Sequence, residues 1–170
     1  PALKAMNIIT LKLERRDTGL FLRSMGIWGE MPGAYSGYFS ASGVNIETTF
    51  ISKRIVETGE PYYNTDYSDI GIARLQQRRI SIGLEPIKDA SGDVIAIFSV
   101  GRDAAFGSWT DNERELMTRA AVTIGLAMER ARNREELEER ARALEEKTNE
   151  MEAFVFSVSH DLKSPMVSLE

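Results

Sequence analysis

From Thr110 to Ser164 the chain contains no proline, and its apolar residues recur at helical spacing until Pro165 interrupts them. The stretch "TDNE" at 110–113 predicts where the helix starts: Thr110 can cap it and Glu113 can reach back to the cap, a capping box. A continuous helix over residues 111–164 would span roughly 80 Å at 1.5 Å per residue, more than one small domain can cover. From Leu137 onward its apolar stripe has a heptad period, with Leu137, Leu144, Met151 and Val158 on one seam position. Ala141, Thr148, Val155, Leu162 and Leu169 fall on the other, and such spacing calls for a partner helix. Between Glu129 and Glu152, 15 of 24 residues are charged, with both signs present, as expected of the outer and flanking faces of a coiled coil. A solvated single helix laced with charged pairs is the alternative, because Ala141 and Thr148 thin the seam. Upstream, Met117, Ala121, Ile124, Met128 and Ala131 form a stripe out of phase with Leu137, so a register shift is expected near 131–137.

The residues before this helix predict an antiparallel sheet. "MNIITLKLERRDTGLFLRSMGIW", Met6 to Trp28, reads as two β-rich stretches joined by a charged turn ending in Gly19. Residues 29–43 are dense in glycine, serine and aromatics and predict a loop. Ile46, Phe50, Ile51 and Ile55 then stand near helical spacing, with Gly59 and Pro61 as stop signals, which predicts a short amphipathic helix. Pro61 launches a short strand, and residues 70–79 predict a second small helix carrying Leu75. "ISIGLEPIKDASGDVIAIFSVGR" is a second hairpin around the turn formers of "DASGD". The order of hairpin, helix, strand and hairpin implies an α+β domain whose sheet carries helices on its faces and ends near Trp109.

Composition narrows the function. With 170 residues and 42% apolar content, one sizeable core and an extension are expected rather than two large domains. A net charge of −5 disfavours capture of a phosphate backbone, so no nucleic-acid partner is expected. The absence of cysteine excludes disulfides, thiolate metal sites and thioether-linked cofactors, and fits a reducing cytosol. The apolar run "AAVTIGLAM" at 120–128 is far short of the ~20 residues a membrane-spanning helix needs. Opening at Pro1 and stopping at Glu170 within a helical pattern, the chain reads as an excised piece.

The chain has a single histidine, His160. With Val158 at heptad position d and Leu162 at a, it falls at f, on the outermost face of a coiled coil. A metal site is not expected, since the neighbouring "SHDLKSP" offers only Asp161 as a further ligand. An outward imidazole is largely neutral at neutral pH, so one ring nitrogen is free to act as a nucleophile, for example as a phosphoryl acceptor. Asp161 could hydrogen-bond the other nitrogen and fix the tautomer. Ser164 lies at i+4 on the same helical face. Pro165 lacks an amide hydrogen and crowds the carbonyl of residue 161, which loosens or bends the helix beside the histidine.

"FVFSVSHDLKSPM", Phe154 to Met166, resembles the H-box of sensor histidine kinases. The resemblance implies that His160 is the phosphoacceptor, Asp161 the acid/base residue and Pro165 the helix kink, with a phosphatase or positioning role for Ser164. It also implies that residues 153–170 open a dimerisation and phosphotransfer hairpin, a four-helix bundle in a parallel dimer, while residues 110–152 form the signalling helix. ATP and Mg2+ would be bound by a domain lying elsewhere in the parent kinase, and a response regulator aspartate would receive the phosphoryl group. This stretch alone is expected to be inactive.

Residues 1 to about 128 resemble a GAF domain, through "VETGEPYYNTDYSD", the strands around "DASGDVIAIFSVGR", and "FGSWTDNERELMTRAAVTIGLAMERA". That implies a sensor core over residues 1–109 and a pocket for a small molecule, in a cytoplasmic protein. Covalent bilin would need a cysteine, and histidine-ligated haem a histidine within the domain. Trp28, Tyr35, Tyr38, Phe39, Tyr62, Tyr63 and Tyr67 are the candidates to line a pocket, against the alternative that they are ordinary core and loop packing. The competing function is a non-enzymatic GAF dimerisation or ligand-binding module with a coiled-coil spacer.

Overall fold

The computed structural model describes residues 5–29, 42–65 and 80–167, with side chains as far as Ser159. In chain order the elements are β1 (Asn7–Arg16), β2 (Gly19–Gly29), β3 (Val44–Asn45), a 3-10 turn (Ile46–Thr48), α1 (Phe50–Thr58), β4 (Tyr62–Asn64), β5 (Ile80–Lys88), β6 (Val94–Asp103), a second 3-10 turn (Ala104–Phe106) and α2 (Asp111–Val167). The six strands form one antiparallel sheet in the order β3-β2-β1-β6-β5-β4. Both hairpins stand where the sequence places them. Asp89 shapes the second, its carboxylate accepting from the amides of Ser91 at 2.9 Å and Asp93 at 3.1 Å. The expected loop at 29–43 and the expected helix at 70–79 lie almost wholly outside the described residues.

Because side chains alternate across a strand, the sheet carries two apolar faces. On one, Ile9, Leu11, Leu22, Ile80, Ile82, Leu84 and Ile97 pack with Ile51 and Ile55 of α1 into a continuous core. On the other, the first turns of α2 bring down Met117 and Ala121, both buried. There Gly83 permits close approach: a Cβ at that position would meet the Tyr63 ring at 2.9 Å and the Met117 methyl at 3.2 Å.

One expectation is corrected within α1. Thr49 leaves the helical region (φ −126°, ψ 88°) between the 3-10 turn and α1, so Ile46 and Phe50 do not share a helical face. Phe50 is accordingly 78% exposed, while Ile46, Ile51 and Ile55 are buried. The helix ends as predicted on Gly59, whose left-handed conformation (φ 65°) lets its amide donate to the Ile55 carbonyl at 2.8 Å.

The chain divides into two compact units, residues 1–127 and 128–170. Within the first, α2 is rooted by a charged side chain that the sequence reading did not single out. Arg102, only 2% exposed, stacks its guanidinium 4.0 Å from the Trp109 ring centroid and donates to Glu113 Oε1 at 2.5 Å and to the Gly107 carbonyl at 3.0 Å. Glu113 closes the capping box with its other oxygen, accepting from the Thr110 amide at 2.8 Å and hydroxyl at 3.0 Å, while Thr110 Oγ1 accepts from the Glu113 amide at 3.3 Å. One carboxylate therefore both caps the helix and neutralises a buried cation.

Partial burial works to raise the Glu113 pKa, but the Thr110 hydrogen bonds and Arg102 outweigh it and hold the carboxyl below the usual Glu value. A carboxyl whose pKa is depressed by folding stabilises the fold above its unfolded pKa and loses that contribution as pH falls through the folded one. In urea unfolding at a series of pH values, wild type should exceed Glu113→Gln at neutral pH, and the gap should close on acidification below about pH 4.3. A gap independent of pH would show that the carboxylate charge is not what stabilises the helix root.

Candidate functional site

The residues that resemble an H-box lie on α2, whose helical backbone runs unbroken from Asp111 to Val167 and so includes Phe154 to Met166. The side chains of His160, Asp161, Ser164 and Pro165 fall outside the described residues. Immediately before them the helix is unusually apolar for an exposed segment: Phe154, Val155, Phe156 and Val158 are all solvent-exposed in the single chain. At 100° per residue, Phe154, Val155 and Val158 share one face with Met151, and Phe156 points well away from it. An apolar belt of that width exceeds a two-residue seam. Between 129 and 152, by contrast, the outer faces are laced with i,i+4 ion pairs, Arg134–Glu138 at 2.8 Å and Arg140–Glu136 at 2.7 Å.

The aromatic candidates do not stand together. Tyr35, Tyr38, Phe39 and Tyr67 lie outside the described residues. Trp28, 63% exposed, sits on β2, whereas Tyr62 and Tyr63 sit on β4 at the far edge, with three strands between. Tyr62 and Tyr63 themselves face opposite ways, as neighbours on a strand must. Tyr62 packs against the core under α1, and Tyr63 turns to the α2 face.

Tyr63 joins a buried polar cluster on that face. Its ring lies 5.5 Å from Trp109 with the planes tilted by 55°, and the Arg114 guanidinium stands 4.9 Å from its centroid. Its hydroxyl donates to the carboxylate of Glu85, which also accepts from Thr118 Oγ1 at 3.1 Å. Glu85 is buried in β5, and both donors to its carboxylate are hydroxyls. Burial, reinforced by the Glu85 hydrogen bond and charge, pushes the Tyr63 phenol above its ordinary pKa and keeps it a donor. The Asn64 carbonyl, next in the strand, accepts from Ser81 Oγ at 2.7 Å and from the Trp109 indole at 3.2 Å. Through these bonds β4 is tied to both β5 and the root of α2. The sequence signal for this cluster was faint: one Glu inside "ISIGLEPI" and one Arg closing "VIAIFSVGR". Removing the phenol hydroxyl by Tyr63→Phe should leave Glu85 short of a donor and cost about 1–3 kcal/mol in urea unfolding. No measurable change would show that the bond contributes nothing to stability.

Comparison with known proteins bears on the fold and only weakly on the function. No family model matches the chain. The methanogenesis regulatory histidine kinase FilI of Methanothrix harundinacea is 42% identical over 69 residues, which cover 36% of this chain and 8% of that protein. Among solved structures, the GAF domain/HD domain protein from Geobacter sulfurreducens superposes with a TM-score of 0.60 at 16% identity, over 73% of this chain and 80% of that one. The second GAF domain of DevS from Mycobacterium smegmatis gives 0.58 at 15% identity, over 78% and 86%. The antiparallel sheet, the helix packed on each of its faces and the long C-terminal helix thus have the GAF-domain fold.

Proposed function

We propose that this chain is the sensory and signal-transmitting part of a cytoplasmic sensor histidine kinase, with His160 as the phosphoacceptor. The observation that carries the reading is that the thirteen-residue motif Phe154–Met166 lies on helical backbone continuous with a helix that begins against a GAF-fold sheet. The wide exposed apolar belt at Phe154–Val158 supports it, as does the short stretch of identity to a histidine kinase.

In this reading ATP, held with Mg2+ by an ATP-binding domain of the longer protein, supplies the γ-phosphoryl group. A neutral ring nitrogen of His160 attacks the phosphorus as its bond to the leaving ADP oxygen breaks. Asp161 accepts a hydrogen bond from the other ring N–H, which fixes the tautomer and stabilises the positive charge that develops on the imidazole. The phosphoryl group then passes to an aspartate carboxylate of a response regulator, and His160 returns to its neutral form. In a phosphatase step Ser164 positions the water that attacks the regulator's aspartyl phosphate, releasing inorganic phosphate and the free carboxylate. Pro165 leaves the Asp161 carbonyl without its i+4 amide donor, a loosened turn beside the reactive group.

The GAF domain supplies the bias. A small molecule bound against the α1 face of the sheet shifts the populations of two arrangements of the dimeric coiled coil, provided that it binds them unequally. The two arrangements differ in the access they give to His160.

Full-length protein given radiolabelled ATP should take up label that His160→Gln abolishes and Asp161→Asn slows about a hundredfold or more. Label persisting at the wild-type level in His160→Gln would overturn the phosphoacceptor assignment. A full-length chain that takes up no label at all would favour the non-enzymatic GAF module.

A further inference from the structure

Strand β4 is three residues long and forms one edge of the sheet. It pairs with β5 alone, through Tyr62–Leu84, Tyr63–Gly83 and Asn64–Ile82. Pro61, directly before it, has no amide to donate. So short a ladder holds a strand only weakly. Side chains and one carbonyl do the rest, and they are divided between the two sides of the sheet.

On the α1 side, Tyr62 packs against the apolar core and its hydroxyl accepts from Asn64 Nδ2 at 3.2 Å. Two places apart on a strand, these side chains stand on the same face. At the root of α2, the Asn64 carbonyl accepts from the buried Trp109 indole, also at 3.2 Å. Asn64 therefore binds Tyr62 with its side chain and Trp109 with its main chain. Trp109 in turn carries the Arg102 guanidinium 4.0 Å from its ring centroid, and Arg102 donates to Glu113 in the first turn of α2. A second set of contacts leaves the same strand, where Tyr63 reaches the Glu85 carboxylate that Thr118 of α2 also binds.

Strands β5 and β6 also present residues to both faces. They are nine and ten residues long and paired to each other along their length, so the whole ladder resists their displacement. Strand β4 can shift at the expense of three pairs. In a buried hydrogen-bonded chain, loss of one partner weakens the bonds that follow it.

We propose that β4 is the regulatory link of the domain: an occupant of the α1 side that displaces the Tyr62 hydroxyl from Asn64 loosens the hold of the Asn64 carbonyl on Trp109, and with it the root of α2. Tyr62 and Asn64 are positioning residues that act on α2 through Trp109. The coupling requires that the occupant favour one arrangement of β4 over the other. It rests on the reading of the α1 side as the sensing side, and assigns the residues through which that side acts.

The Trp109 indole reports the link directly. The chain has two tryptophans, so Trp28→Phe leaves Trp109 with the sole indole N–H, a single resonance in a nitrogen–proton correlation spectrum of the 170-residue chain. In that background Tyr62→Phe removes only the hydroxyl on the α1 side. It should move the resonance towards weaker hydrogen bonding and speed exchange of the indole proton at least about threefold. Leu13→Val trims the same core from β1 and should leave both unchanged. An indole resonance and exchange rate unmoved by Tyr62→Phe would overturn the inference. An equal response to Leu13→Val would overturn it too, because the domain would then be loosening as a whole rather than through β4. The outcome is separable from the kinase reading: a full-length chain that takes up no label sinks only that reading, and an unmoved indole in a chain that does take up label sinks only this inference.

Discussion

The first unit depends on how a buried arginine is neutralised. Arg102 sits at the end of β6 with almost no exposure, a position where an unpaired charge would cost several kcal/mol. It is tolerated because Glu113, Trp109 and the Gly107 carbonyl enclose it, and all three belong to the connection into α2 or to its first turn. The charge that strand β6 buries is therefore satisfied only when α2 begins where it does and lies against the sheet. Glu113 would serve the capping box in an isolated helix too; the ion pair with Arg102 makes that cap part of the tertiary structure.

The same face carries a second polar cluster built on Glu85. Its donors are Tyr63 from the neighbouring strand β4 and Thr118 from α2. Beneath α1 the other face carries the apolar core, formed by alternate residues of the same strands. Both sides of the sheet are packed, and the α2 side adds directional bonds to that packing. Packed aliphatic residues can rearrange at modest cost, whereas a buried hydrogen-bonded cluster loses the full desolvation penalty if a partner withdraws. That asymmetry suits a domain in which the α1 side receives a ligand and the α2 side must keep its helix in place, as the proposed function requires.

In the second unit the constraint is reversed. Nothing in residues 128–159 buries the seam at Leu137, Leu144 and Met151, and the helix is sustained within one chain by i,i+4 pairs worth only about 0.2–0.5 kcal/mol each. Its apolar residues find no partner within the described residues of the chain. Under the proposed function they would contribute by packing against a second copy, and the segment would then respond to how the two copies pack.

Period and punctuation alone determined the elements: both hairpins, the short helix ending on Gly59, the strand after Pro61 and the capped start of α2 all follow from local rules of alternation, helical spacing, turn chemistry and capping. The resemblance of Phe154–Met166 to an H-box is likewise local, a run of thirteen residues that lies on helical backbone while its chemistry belongs to the proposed function. Three things were decided only by the tertiary structure. Phe50 turned outward because one non-helical residue, Thr49, broke a spacing that looked continuous. Trp28 and the Tyr62–Tyr63 pair were separated because strand order, which no local pattern encodes, inserted three strands between them. Arg102 and Glu85 acquired their roles because the fold brought Glu113 to one and Tyr63 and Thr118 to the other, and only the folded chain shows which lone charge in a strand has a partner waiting above it.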